Sequence, residues 1–84
     1  MEQQKLPKVF VTVTAEFDPE GRLTPLSFVW EDGHRYEIDR VLDTRRAASL
    51  KAGGMGLRYT CRVRGIQTYL FLEEGRWFME RKRA

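Results

Sequence analysis

Eighty-four residues, of which 42% are apolar, 32% charged and ten aromatic, make one small globular domain and exclude a disordered tail. A single cysteine excludes an intrachain disulfide, and with no neighbouring Cys or His it excludes the usual zinc spacings as well. The net charge of +3 is uneven: residues 1–39 carry −4, residues 40–64 carry seven basic side chains against Asp43, and the last twenty carry +1.

The basic middle of the chain favours anionic partners, with a plain solvated surface as the alternative. Residues 1–8, MEQQKLPK, lack the apolar core of a signal peptide, and no run approaches the roughly 18 apolar residues of a membrane span. A cytoplasmic protein with no membrane attachment is the expectation. Residues 1–84 form one domain, frayed at 1–7 and 82–84.

From Val9 to Phe17 the residues VFVTVTAEF alternate, with Val9, Val11, Val13 and Ala15 on one side and Thr12, Thr14 and Glu16 on the other, which predicts a half-buried strand. Asp18-Pro19-Glu20-Gly21 has the chemistry of a type I turn. Turning on Pro19 and Glu20 pairs Val13 with Leu26, Val11 with Phe28 and Val9 with Trp30. Pro25 has no N–H to donate, so the second strand is irregular or at an edge there.

Leu26 to Leu42 predicts a hairpin around Glu31-Asp32-Gly33. A two-residue loop would mix aromatic and charged side chains on one face. A three-residue loop with Gly33 in the left-handed conformation pairs Phe28 with Tyr36 and Leu26 with Ile38, which keeps the apolar face together. Alternation stops after Leu42. Asp43 or Thr44 can cap a helix, Ala47, Ala48 and Leu50 favour one, and Gly53 can end it, so a short helix is predicted between Asp43 and Gly53.

LRYTCRVR resumes the strand pattern at Leu57, and Arg64-Gly65 and Glu74-Gly75 make tight turns into IQTYLFLE and RWFMER. Two-residue loops place Tyr59 opposite Leu70, Leu57 opposite Leu72, and Leu72 opposite Trp77. The fold class is mostly β, with six antiparallel strands in a small barrel, SH3-like or related, or in two packed meanders, and one short helix. An open sheet covered by the helix is the runner-up. The predicted core holds Val11, Val13, Phe28, Trp30, Tyr36, Ile38, Tyr59, Cys61, Leu70 and Trp77.

Little here suggests catalysis. His34 is the only histidine, flanks a turn and has no nucleophile placed by any motif. Cys61 falls on an inward row, where it would be buried and inert. Gly53-Gly54-Met55-Gly56 leads from a helix into a strand, the reverse of a phosphate-binding loop. Of the clustered carboxylates Glu31, Asp32, Glu37 and Asp39, Asp32 is explained by its turn and Glu37 and Asp39 by an outward row, and nothing requires the inward convergence that a metal or general-acid role needs. No catalytic residue, metal or cofactor is expected, and no enzymatic activity.

One face resists a bland explanation. The outward row of the last three strands sets Arg58 beside Phe71 and Phe78, Thr60 beside Tyr69, and Arg62 beside Gln67, with Arg64 at the end. Cations among flat rings suit single-stranded DNA or RNA, because they neutralise phosphate while rings stack on bases. The candidate site is Arg58, Arg62, Arg64, Tyr69, Phe71 and Phe78. The alternatives are that Phe71 and Phe78 lie under the helix of residues 44–52, pair in a homodimer, or receive a peptide or protein partner.

The run Pro25–Leu42, with Trp30, Asp32-Gly33, Tyr36, Ile38-Asp39 and Val41-Leu42, followed by Ala47-Ala48, Gly53-Gly54, Gly56, Arg58-Tyr59 and Trp77-Phe78, resembles small single-domain bacterial proteins of unknown function. The resemblance implies a compact, mostly β protein, and brings no activity and no site residues.

Overall fold

The computed structural model describes residues 7–49 and 54–81. Among the described residues eight strands follow one another: β1 (Lys8–Phe10), β2 (Thr12–Phe17), β3 (Leu23–Val29), β4 (Arg35–Glu37), β5 (Arg40–Ser49), β6 (Gly54–Val63), β7 (Ile66–Glu73) and β8 (Arg76–Glu80). They form two antiparallel sheets, one of order β1-β8-β7-β6-β5 and one of order β2-β3-β4.

Eight strands arise from six predicted stretches because two of them divide where the chain leaves one sheet for the other. The first breaks at Val11, whose N–H donates to Trp77 O and so prolongs the pairing of β1 with β8. The other breaks at Ile38-Asp39. Ile38 N–H donates to Leu26 O of one sheet, and Asp39 N–H donates to Arg62 O of the other. Bends of this kind let one chain turn a corner between packed sheets while its buried backbone stays hydrogen-bonded. The sheets therefore hold five and three strands rather than three and three, and the ladders do not close into a barrel.

The short helix is also corrected. Residues 43–49 lie in β5, paired with β6 from Asp43↔Thr60 to Ser49↔Gly54; residues 50–53 of the expected helix lie outside the described residues. A helix this short is marginal by itself, and a ladder along the whole neighbouring strand outweighs the helix preference of two alanines. No helix is present among the described residues, so neither a covered open sheet nor a helix over Phe71 and Phe78 describes them.

The central hairpin forms as its turn chemistry dictates. Phe28 pairs with Tyr36, Gly33 has φ 87°, and Trp30 and His34 close the three-residue loop. Asp32 Oδ1 accepts the His34 N–H at 2.9 Å. The last three strands also follow their predicted register, with Tyr59↔Leu70, Leu57↔Leu72 and Leu72↔Trp77. Arg64-Gly65 and Glu74-Gly75 have positive φ at both residues, the type I′ geometry that matches strand twist.

The β2–β3 register differs from expectation. Phe17 pairs with Leu23 and the Asp18 N–H donates to Arg22 O, which leaves residues 19–21 as a three-residue loop, and a bulge at Thr14/Ala15 against Pro25 shifts the upper half further, so Val13 meets Phe28 and Thr12 meets Val29. Leu26 is consequently turned to solvent, and Val9 pairs with Met79 of β8, not with Trp30. Proline cannot complete a ladder, and the bulge sits where it interrupts one.

The core lies between the sheets. Phe28, Tyr59, Cys61, Val63, Leu70 and Met79 are buried, with Val11, Val13, Trp30, Tyr36, Ile38 and Trp77 packed around them. The Tyr59 hydroxyl donates to Leu23 O at 2.7 Å, a bond between the two sheets. Burial raises the Tyr59 pKa, with a further contribution from Cys61, and pushes the Cys61 thiol up to about 11.

Candidate nucleic-acid interface

The outer face of the five-stranded sheet is set by alternation on β6: Tyr59, Cys61 and Val63 point to the core, so Arg58, Thr60 and Arg62 point away. Register carries this across the sheet. Arg58 is opposite Phe71, which is opposite Phe78, which is opposite Phe10. In the other direction Arg58 is opposite Arg45, and Arg62 is opposite Arg40. A row of three phenylalanines thus runs into two arginines on the same face.

The rings are unequally available. Phe78 is only 3% exposed although it faces away from the core. Phe71 stacks on it at 5.0 Å with an interplanar angle of 9°, Phe10 meets its edge at 5.7 Å, and the Lys8 ammonium lies 4.6 Å from its centroid. This is a second, small apolar cluster covered by side chains of its own sheet. Phe10 and Tyr69 remain 48% and 40% exposed. Each carries a guanidinium on its ring, Arg76 on Phe10 at 4.0 Å and Arg58 on Tyr69 at 4.7 Å. Cation–π stacking of this sort fixes the charge without neutralising it.

Of the six predicted site residues, the fold brings Arg58, Tyr69, Phe71, Phe78 and Arg62 to one face. Arg64 goes elsewhere. As the first residue of its turn it has φ 53°, and its guanidinium lies over Tyr36 at 5.6 Å, at the mouth of the cleft between the sheets. Sequence reading missed Arg40, Arg45, Lys8 and Phe10. Arg45 lies in the segment where alanines signalled a helix, and Arg40 lies on a predicted strand whose pairing with β6 has no local signal. The other two are brought in by β1–β8 pairing, for which no local signal exists.

The electrostatics favour an anion. Arg40↔Arg62 and Arg45↔Arg58 are directly opposed like charges, an arrangement that is destabilising in a bare sheet. Arg45 Nε bonds Asp43 Oδ2 at 2.9 Å, and no other ion pair involves these four arginines among the described residues. The Arg58 Nε is buried without a hydrogen-bond partner. Of the other carboxylates of the central hairpin, Glu31 pairs with Arg81 and Glu37 with Arg35, Asp32 accepts the His34 N–H, and Asp39 has no ion pair among the described residues.

His34 is exposed, with its ring 4.4 Å from that of Tyr36. Cys61 is 1% exposed, and desolvation disfavours its thiolate. Gly54, Met55 and Gly56 belong to strand β6, not to a loop. Among the described residues no group of three His, Cys, Asp or Glu side chains could hold a metal, and no helix is long and apolar enough to cross a membrane.

Comparison of the chain with family models, curated proteins and solved structures found no match.

Proposed function

We propose that this is a non-catalytic binding domain that holds single-stranded DNA or RNA against the outer face of its five-stranded sheet, weakly and with little sequence preference. The observation that carries this reading is the pair of opposed arginine couples, Arg40↔Arg62 and Arg45↔Arg58, with a single carboxylate among them and the exposed Tyr69 beside them. A phosphate backbone along β5 and β6 would relieve their repulsion, and bases would reach Tyr69 on the adjacent β7. The reading places the protein in the cytoplasm, where such strands occur. It keeps within the same proposal a kinship with SH3-like small β-domains and with small bacterial single-domain proteins, supported only by the small all-β architecture and the residues of the Pro25–Leu42 hairpin.

A second reading has its own observation. β5 is the last strand of its sheet, so among the described residues one side of a ten-residue strand has no neighbour in the ladder. A protein partner or a second copy could add a strand there. Titration of the labelled protein with a short mixed-sequence oligonucleotide at low salt separates the two. Nucleic-acid binding predicts amide shifts at Arg40, Arg45, Arg58, Arg62 and Tyr69, and an affinity that falls steeply with salt, with Arg62→Ala lowering that slope by about one. An unchanged spectrum at millimolar oligonucleotide would remove this reading and leave strand addition in front.

A further inference from the structure

On the side of the five-stranded sheet away from the arginine couples, the two sheets part to leave a cleft of about 350 Å³. Its floor is Phe28, Val63 and Met79, all buried, and its wall on the three-stranded side is Trp30 and Tyr36, both half-buried. Arg64, Thr68 and Ile66 form the rim on the five-stranded side, and Ile66 is left 64% exposed there. We propose that this cleft binds a small organic anion with a flat apolar body, its ring against Trp30 and Tyr36 and its carboxylate on Arg64.

Size, shape and charge each narrow the class. An apolar cavity of about 150 Å³ accepts benzene, so roughly twice that volume accepts a fused bicycle with a short acidic arm. Three aromatic side chains line the space and suit a flat ring. The sign of the charge follows from what surrounds Arg64. Glu31 and Glu37 of the adjacent hairpin pair with Arg81 and Arg35, no acid lines the cleft, and Arg64 has no carboxylate partner among the described residues and rests on the Tyr36 ring. A cationic ligand would meet this guanidinium with no acid lining the cleft to offset it. An anion would gain a charge-assisted, two-pronged hydrogen bond from it.

Arg64 also occupies a backbone position that favours Asn or Gly, at φ 53°. The cleft and the outer face use different residues, so each can fail alone.

The test uses three probes of one shape: indole-3-acetate, indole-3-acetamide and tryptamine, titrated into the labelled full chain. The expected result is saturable shifts of the Trp30 indole N–H, Tyr36, Ile66 and Thr68 with the acetate, at least tenfold weaker binding of the neutral acetamide, and none of the amine. Arg64→Asn keeps the turn and should abolish the preference for acetate over acetamide, while Arg64→Glu should transfer it to tryptamine. Equal binding of all three probes, shifts confined to Arg62 and Tyr69 on the outer face, no acetate binding at 10 mM, or an unchanged acetate preference in Arg64→Asn would each overturn the proposal.

Discussion

Phe78 and Tyr69 lie on the same side of the sheet, yet replacing them tests different physics. Phe78 is enclosed by Phe71, Phe10 and Lys8, so Phe78→Ala should cost about 3–5 kcal/mol of stability, as a core truncation does. Tyr69 is open, so Tyr69→Ala should change stability by less than about 1 kcal/mol and instead weaken oligonucleotide binding by about 1–3 kcal/mol. Urea unfolding and a binding titration on both variants would check this. Equal stability losses would mean that Tyr69 is structural and that the face has lost its best stacking ring. Inside the core, Cys61 makes the pH dependence specific. Its thiol is raised from 9.0 to about 11 in the folded state, so the folded form keeps its proton while the unfolded form loses it. Stability is thus fully present below about pH 9 and falls as pH rises towards 11, by about 2–3 kcal/mol. Tyr59 titrates in the same direction. Cys61→Ala should flatten the alkaline part of a plot of Tm against pH, and a curve as steep as that of the parent would assign the loss to other groups.

At the scale of the element, two-residue glycine turns decide how much of the fold can be read from sequence. Arg64-Gly65 and Glu74-Gly75 admit one closure each, so the register of β6, β7 and β8 follows from the residues alone, and with it the placing of Arg58, Thr60 and Arg62 beside Phe71, Tyr69 and Gln67. Asp18-Pro19-Glu20-Gly21 admits two closures, and a bulge at Pro25 adds a further slip that no alternation pattern encodes. The helix expected from Asp43 to Gly53 failed for a related reason. Alanine states a local preference, whereas β5 is held by β6, and nothing within residues 43–49 announces that neighbour. Half of the arginine face was therefore legible and half was not. The turns themselves carry a stability prediction. Glu74 has φ 52° and no ion pair among the described residues, so its conformation is a cost without an evident return. Glu74→Asn should raise stability by about 0.5–1 kcal/mol, because Asn enters this region more readily. A decrease in the urea midpoint would show that the Glu74 side chain contributes something its geometry conceals.

For the molecule as a whole, the contact that completes the five-stranded sheet joins its first strand to its last. β1 pairs with β8 through Lys8↔Glu80, Val9↔Met79 and Phe10↔Phe78, and only this pairing carries Lys8 and Phe10 to the outer face. Local hairpins such as β6–β7 and β7–β8 close short loops and can form early, whereas pairing the two ends of the chain must close nearly all of it and so comes late. Val9 is the residue that reports on this step, since it is buried against Met79 and belongs to no hairpin core. Val9→Ala removes two buried methyl groups and should cost about 1–2 kcal/mol. If β1 docks after the transition state, nearly all of that loss should appear as faster unfolding, by roughly 5- to 30-fold, with refolding unchanged. Leu70→Ala, at the centre of the β6–β7 pairing opposite Tyr59, should instead slow refolding. Stopped-flow unfolding and refolding of the two variants across a range of urea concentrations would separate these outcomes. A refolding rate that drops for Val9→Ala as much as for Leu70→Ala would place β1 in the folding nucleus and reverse the order argued from topology.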